Sequence, residues 1–144
     1  MAFTGNFMCT SFQVDLMKGL HDFTNSSVNT FNIALYTNSA SFTAATTAYT
    51  ATNEVTGTAY VAKGNALVNV TPTSTSTTAF TDFGDSTWST STITARGAMI
   101  FNDTASGDPS VVILDFGADK SSSAGDFVVV MPTADSSSAI IRIA

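Results

Sequence analysis

Apolar and polar residues alternate along residues 86–101 in the middle of the chain. A row of apolar residues at a spacing of two suits a strand and not a helix. An unbroken apolar run follows at residues 111–116, and residues 102–109 between them are almost all turn formers. The pattern predicts a long antiparallel hairpin over residues 86–116, with its first strand nearer solvent and its second in the core. The alternating residues are Trp88, Ile93, Ala95, Gly97, Met99 and Phe101.

Shorter apolar patterns on both sides of this hairpin predict further strands. Residues 31–36 alternate in the same way. The Ser- and Thr-rich residues 71–78 and 120–125 are predicted to form a loop and a turn. Turn signals every dozen or so residues predict a mainly β protein, a β-sandwich of short antiparallel strands that is jelly-roll-like or immunoglobulin-like. Three short apolar runs add strands, at residues 66–70, 127–131 and 139–144.

The N-terminal part of the chain has a different period. Apolar residues recur at helical spacing between Phe12 and Phe23, so one N-terminal α-helix is predicted over residues 11–23. Residues 1–9 before it are predicted to be a first strand or an arm that docks on a neighbouring subunit, and we favour the arm. The whole chain, residues 1–144, is predicted to form a single domain. The arm holds more apolar side chains than a free terminus tolerates: Phe3, Phe7 and Met8.

Charged residues are few, and most of them are acidic. The chain has 11 Asp and Glu residues against 5 Lys and Arg, a net charge of -6, and charged residues make up only 11% of it. This balance argues against nucleic-acid binding, because the neutralisation of phosphates needs clustered basic residues. The sequence has no long apolar run and no basic leader, so neither a membrane span nor a cleaved signal is predicted.

Catalysis has few candidate residues in this sequence. His21 is the sole histidine and Cys9 the sole cysteine. On one helix they would lie about 18 Å apart along its axis, too far for a nucleophile and its base. We therefore expect a buried cysteine and a histidine on the helix surface. Because zinc needs several such ligands, no metal, cofactor or catalytic residue is predicted, and the protein is not expected to be an enzyme.

Two Asp-Phe-Gly triplets, at residues 82–84 and 115–117, match the magnesium motif of kinases. The motifs that accompany it in kinases do not occur, so we interpret both triplets as strand ends. Some carboxylates in the predicted loops offer oxygen ligands for a hard cation such as Ca²⁺. Their spacing does not match a calcium loop. The two candidate pairs are Asp103 with Asp108 and Asp82 with Asp85.

Trp88 and Arg96 are interface candidates on the predicted hairpin. A lone aromatic residue in a polar strand can anchor a partner. Arg96 could pair with an Asp on the next strand or across a subunit contact. In an alternative function, a carbohydrate- or receptor-binding module, the sugar platform would be Trp88, Tyr49 or Tyr60. The predicted interface comprises Phe3, Phe7, Met8, Trp88 and Arg96.

Four segments that span nearly the whole chain carry a resemblance: residues 31–42, 47–74, 78–102 and 111–144. The most distinctive of them runs from Trp-Ser-Thr to Ala-Arg-Gly-Ala, at residues 88–98. These segments resemble a family of small proteins encoded by tailed bacteriophages, which is frequent in marine phage genomes. In that family a double glycine is usual where this chain has Lys63 and Gly64. The resemblance implies a phage origin and a component of the virion.

The pattern and the resemblance together lead us to expect a structural protein of a bacteriophage particle. Our first expectation is a capsid decoration or cement protein on the exterior of the head, made in the host cytoplasm and located in the virion. We expect it to form a symmetric homo-oligomer, in which many weak contacts sum. Its partners would be other virion proteins, either the major capsid protein or tail proteins. A tail, baseplate or head-fibre component is the near alternative.

Overall fold

The computed structural model describes residues 3–144, which form eight β-strands and one α-helix. Strands hold 47% of the residues and helix 6%, so the protein is mainly β, as the sequence predicts. In chain order the elements are β1 (Phe7–Met8), α1 (Thr10–Met17), β2 (Phe31–Tyr36), β3 (Asn65–Ala66), β4 (Asn69–Thr75), β5 (Thr78–Phe83), β6 (Ser86–Asn102), β7 (Ser110–Val129) and β8 (Ile141–Ile143).

The strands build two antiparallel sheets in a β-sandwich-like fold. The larger sheet has five strands in the order β1-β7-β6-β2-β3, and the smaller has three in the order β4-β5-β8. The predicted class, a mainly β sandwich with one N-terminal helix, is confirmed. Not every strand is short, because β6 has 17 residues and β7 has 20. The hairpin of these two strands therefore dominates the larger sheet.

The β6–β7 hairpin is the predicted hairpin, extended by a further stretch of chain. Met99 pairs with Ile113 near its turn, and Trp88 pairs with Phe127 far from it. The predicted turn at residues 120–125 is wrong, because these residues lie inside β7 and pair with β6. Backbone pairing, and not an apolar pattern, makes them a strand. We call residues 97–102 with 110–115 the turn half of the hairpin, and residues 86–95 with 120–129 the open half.

Three residues with left-handed backbone interrupt the hairpin: Thr90 (φ 52°), Gly117 (φ 78°) and Ala124 (φ 46°). Each lies where the pairing of β6 with β7 shifts its register, as happens at a β-bulge. The bulge at Thr90 changes which residues of β6 face inward. It explains why Trp88 and Ile93 are both buried although they are an odd number of residues apart.

Strand β7 curves strongly along its length. A straight strand would place Phe116 and Phe127 about 36 Å apart, yet their ring centroids lie 6.3 Å apart. The open half of the hairpin therefore folds back toward the turn half. The Asp-Phe-Gly triplet at residues 115–117, predicted to end a strand, instead lies inside β7 at a bulge. The triplet at residues 82–84 does lie at the end of β5, as predicted.

Strand β2 pairs with β6 along its full length and is buried at all six positions. Phe31 at its start stacks on Phe23, with ring centroids 4.4 Å apart. The ring of Phe83, in the smaller sheet, lies 5.7 Å from that of Phe31. This aromatic cluster joins the two sheets, and aromatic residues supply much of the buried area in such cores.

The Thr- and Ser-rich residues 71–78 are not the predicted loop. Most of them belong to β4, an edge strand that pairs with β5. Pro72 lies at the register shift between Val70 and Thr73, and a bulge on an edge strand tolerates a residue that lacks an N–H group. Most side chains of β4 are exposed, so no apolar alternation marks this strand in the sequence.

Helix α1 ends well before Phe23, so the prediction of a helix over residues 11–23 is wrong at its C-terminal end. Gly19 takes the left-handed conformation (φ 71°) that commonly ends helices. Its N–H group donates to the Leu16 carbonyl, and the Leu20 N–H group donates to the Asp15 carbonyl, both at 3.0 Å. The chain then turns away from the helix axis. Over the described part of the chain, no helix has the length and apolar character needed to cross a membrane.

Candidate interaction surface

The five residues predicted to form an interface do not lie together on the surface. Phe3 and Trp88 are only 1% and 3% exposed, so they belong to the protein's own core and the prediction is wrong for both. Phe7 and Met8 are half-buried in β1, and Arg96 is half-buried in β6. The role of these three residues in an interface stays a prediction.

Phe3 is held by close contact with its own chain. Its ring packs edge-on against Phe42, with centroids 5.7 Å apart. A Cβ atom added to Gly97 would overlap the Phe3 ring and the Leu114 carbonyl oxygen, so the close approach of Phe3 depends on glycine there. Phe3 of the predicted arm therefore packs on its own domain, and the contact of the rest of the arm with a neighbouring subunit stays a prediction. Residues 1 and 2 of that arm lie outside the described residues.

Trp88 lies inside an aromatic cluster. Its ring centroid is 5.9 Å from that of Tyr60 and 6.1 Å from that of Phe127. Its indole N–H group has no hydrogen-bond partner among the described residues. Because Trp88 is buried, it does not offer the exposed sugar platform that the sequence suggested. Tyr49 and Tyr60 are half-buried and their hydroxyls bind Glu54, and their use as such a platform stays a prediction.

Glu54, the sole glutamate, holds the long connection between β2 and β3. Its carboxylate accepts hydrogen bonds from the hydroxyls of Tyr49 (2.5 Å) and Tyr60 (2.7 Å) and from the Lys63 backbone N–H (2.7 Å). The Tyr60 oxygen also accepts a bond from the Leu35 N–H of β2. Burial raises the pKa of Tyr60, and burial together with the bond to Glu54 raises the pKa of Tyr49 to about 12. Both hydroxyls therefore remain donors at neutral pH. We call Glu54, Tyr49 and Tyr60 the Glu54 clasp.

The carboxylates of Asp103 and Asp108, considered above for a cation, enclose a lysine. The Lys63 Nζ atom lies 2.7 Å from Asp103 Oδ1 and 2.8 Å from Asp108 Oδ2. These bonds raise the pKa of Lys63, so its ammonium group stays charged. Lys63 and Gly64 both have left-handed backbone, with φ of 73° and 64°. Within residues 3–144, no group of three or more His, Cys, Asp or Glu side chains is placed to hold a metal ion.

Asp82 and Asp85 bind backbone groups. The buried Asp82 carboxylate accepts bonds from the N–H groups of Phe83 (2.8 Å) and Ile140 (3.2 Å). Asp85 accepts a bond from the Met131 N–H (2.8 Å). Burial raises the pKa of Asp82. The two carboxylates attach the end of β5 to the chain that leads into β8.

Arg96 pairs with an Asp on the neighbouring strand, the first of its two predicted alternatives. Its Nε atom lies 3.2 Å from Asp115 Oδ1. The Asp115 carboxylate also accepts bonds from the N–H groups of Gly117 (2.8 Å) and Gly5 (3.1 Å). The bond from Gly117, aided by Arg96, holds the pKa of Asp115 below its ordinary value. This pair lies at the bulge that separates the two halves of the hairpin, where the N-terminal segment also attaches.

His21 is not on the helix surface, and that prediction is wrong. Because α1 ends before it, the chain carries His21 into the core, where its ring packs near Phe12, Phe23 and Phe31 at centroid distances of 5.2, 6.1 and 6.0 Å. Burial lowers the pKa of His21. Cys9 is buried as predicted, and burial raises the pKa of its thiol.

A groove of about 690 Å³, lined by both apolar and polar side chains, lies between the two sheets, and we call it the seam groove. It is bordered by β1 on one side and by the chain around β8 on the other. These two strands are edge strands of the larger and the smaller sheet. Edge strands present unpaired N–H and C=O groups that can bind another strand. The apolar side chains that line the groove include Phe7, Met8, Leu114, Phe116, Val130 and Ile140.

A second groove, of about 410 Å³, lies along β7 and shares Phe116, Val129 and Val130 with the seam groove. It contains two exposed apolar side chains, Val128 (46% exposed) and Val130 (72% exposed). The apolar run at residues 127–131 indicates a core strand with both faces buried, and this is wrong because burial alternates there. Phe127, Val129 and Met131 are buried, whereas the two valines between them are exposed. The two grooves adjoin at these shared residues, and we call them together the joined grooves.

The joined grooves include two of the five predicted interface residues, Phe7 and Met8, and add the apolar side chains of Phe116, Val128 and Val130. A sequence signal for the two valines does exist. Residues 127–131 are as compatible with alternating exposure as with full burial, because every one of them is apolar. A scan against protein-family models, a search of characterised proteins and a search of solved structures find no match for this chain.

Proposed function

We propose that this protein is a structural component of a bacteriophage particle, in the first place a decoration or cement protein on the outside of the capsid. The observation that carries the proposal is the seam groove, where apolar side chains lie beside two edge strands. An exposed strand edge can bind another chain, and natural proteins usually protect such edges. The resemblance of the sequence to a family from tailed phages supports the same role.

In this proposal the protein binds and does not catalyse. Copies assemble as a symmetric homo-oligomer on the major capsid protein, with the seam groove covered by a neighbour. The sparse charge of the Ser- and Thr-rich surface limits repulsion between copies, although each carries a net charge of -6. Many weak contacts of this kind sum to a firm attachment.

Mass spectrometry of purified virions tests the proposed location. Hundreds of copies per particle are expected of a capsid decoration protein, because the capsid repeats its lattice many times. Tens of copies or fewer would instead indicate the alternative, a tail, baseplate or head-fibre component. Virions that contain no copies would contradict both.

A substitution in the grooves tests the proposed surface. Val130→Ser is expected to weaken self-association or attachment to particles by about tenfold, because it removes apolar area from the contact. Val61→Ser is the matched control, since Val61 is 73% exposed, against 72% for Val130, and lines neither groove. Sedimentation velocity and co-sedimentation with particles measure the effect. Equal behaviour of the two variants would contradict this use of the seam groove.

A further inference from the structure

His21 belongs to a hydrogen-bond network that determines which of its ring nitrogens carries the proton. The Oδ1 atom of Asn102 accepts bonds from the N–H groups of Thr104 (3.0 Å) and Ala105 (3.1 Å). The amide orientation of Asn102 is thereby fixed, and its Nδ2 atom faces His21 Nδ1 at 3.1 Å. Because Nδ2 can only donate, Nδ1 must accept, and the proton of the neutral ring lies on Nε2.

Few charged groups surround the His21 ring. Nε2 has no hydrogen-bond partner among the described residues. On α1, Asp15 Oδ2 is 4.0 Å from Nε2, and Asp15 in turn lies near the Lys18 ammonium group. The adjacent Asp22 bonds to Thr24 and not to the ring. From β2 and β6 the ring meets the uncharged Phe31 and Asn102, so burial of a charged ring would be poorly compensated.

We propose that protonation of His21 is a switch that releases α1 and the segment up to Phe23 from the turn between β6 and β7. A second proton on the ring must bind Nδ1, which then becomes a donor facing the donor of Asn102. Rotation of the Asn102 amide would break its bonds to Thr104 and Ala105. The conflict is relieved when His21 moves away from the turn.

The segment and the turn are joined by one further bridge, through Asn29. Its Oδ1 atom accepts bonds from Asn102 Nδ2 (2.8 Å) and from the backbone N–H of Asp22 (3.2 Å). Movement of His21 would strain the adjacent Asp22 bond. The contact of His21 with Asn102 and the bridge through Asn29 therefore break together, so the opening is cooperative.

The direction of the pH effect follows from linkage. We call the protein closed when His21 is docked on the turn and open when it has been released. The pKa of His21 in the closed state is below its ordinary value of 6.5. The open state therefore binds more protons over the pH range between those two values. The closed state is fully favoured above about pH 6.5 and loses stability as the pH falls toward the lowered pKa. The Asp carboxylates whose pKa is lowered have an ordinary value of 3.8 and titrate below this range. Asp82 is different, because burial raises its pKa. Its hydrogen bonds go to Phe83 and Ile140, so a variant of His21, the sole histidine, separates the two groups.

Hydrogen exchange of the full chain at about pH 7 and about pH 5 tests the switch. After correction for intrinsic rates, we expect residues 10–23 and 102–110 to exchange faster at the lower pH, by up to about tenfold for each pH unit between 6.5 and the lowered pKa of His21. Strand β2 is the internal reference and is expected to keep its protection. His21→Gln, which offers an oxygen to Asn102 but takes up no proton, is expected to abolish the response. An equal response in His21→Gln, or no response beyond that of β2 in the native protein, would overturn the proposal.

A measurement on the native protein covers the case in which His21→Gln does not fold. NMR of the ring nitrogens is expected to show the Nε2-protonated form near neutral pH and a titration midpoint below 6.5, the ordinary value. Faster exchange in residues 10–23 should begin near pH 6.5 and level off near this midpoint. A ring that takes up its proton while these residues keep their protection would contradict the switch.

Discussion

The turn half and the open half of the β6–β7 hairpin bury their side chains in different ways. In the turn half, residues 97–102 of β6 are all buried, and β2 pairs with them on the side away from β7. In the open half, buried and exposed positions alternate. Trp88 and Ile93 face the core, whereas Thr87 and Thr94 face solvent.

The difference shows that strand pairing and burial are set separately in this protein. Both halves are paired with β7, but only the turn half is covered on both faces. Side-chain volume should therefore control stability in the turn half. In the open half, the exposed face should tolerate substitution, and the bulges should control the direction of the strands.

Removal of a buried side chain from the turn half should have the largest effect. Ile100→Ala is expected to lower the free energy of unfolding by about 2–5 kcal/mol, because Ile100 is fully buried and its loss leaves a cavity. Thr87→Ala, on the exposed face of the open half, is expected to change it by less than about 0.5 kcal/mol. Urea unfolding followed by Trp88 fluorescence measures both. Similar losses in the two variants would remove the distinction between the halves.

A methyl group added at a glycine should have an intermediate effect on the free energy of unfolding. The size of this effect should differ between the turn half and the open half of the hairpin. Gly97→Ala is expected to lower the free energy of unfolding by about 1–3 kcal/mol, because the new Cβ meets the Leu114 carbonyl and the Phe3 ring. Gly125→Ala in the open half meets only ordinary contact and is expected to be neutral or to stabilise by up to about 1 kcal/mol. Thermal unfolding of the two variants gives the comparison. A stable Gly97→Ala protein would show that Phe3 is not closely packed there.

The smallest of these effects is expected at the bulge between the halves. Asp115→Asn is expected to lower the free energy of unfolding by about 1 kcal/mol at neutral pH, since it weakens bonds to a charged acceptor. The lowered pKa of Asp115 means that this contribution is present above its ordinary value of 3.8 and is lost as the pH falls below it. The difference from the native protein should therefore shrink in acid. Asp119→Asn, exposed on the same strand, is the control, and a difference for Asp115→Asn that is independent of pH would contradict the assignment.

Apolar alternation is sufficient to predict the hairpin and β2, because these strands bury the side chains that carry the period. It does not reveal β4 or residues 120–125, whose side chains are mostly exposed and whose strand character comes from backbone pairing. The C-terminal end of the helix does have a local signal in the sequence, because Gly19 is the kind of residue that commonly ends a helix. The apolar spacing continues through Phe23 and hides that signal.

The candidate surface is less predictable than the fold. An apolar residue in polar surroundings, such as Phe3 or Trp88, suits an exposed anchor and a core residue equally well. Both are buried through contacts with residues that are distant in sequence: Phe3 packs on Gly97, and Trp88 packs on Tyr60. The Glu54 clasp has a weak signal, since Thr-Ala-Tyr occurs on either side of the sole glutamate at residues 47–49 and 58–60. Spacing alone does not show that both tyrosines bind it.

The Glu54 clasp has a consequence for the conditions in which the protein keeps its shape. It closes the connection between β2 and β3 with hydrogen bonds alone. A disulfide in its place would persist only in oxidising surroundings. The single cysteine, Cys9, is buried and forms no disulfide. The loop is therefore held in the same way in a reducing and in an oxidising compartment, and its conformation does not depend on redox potential.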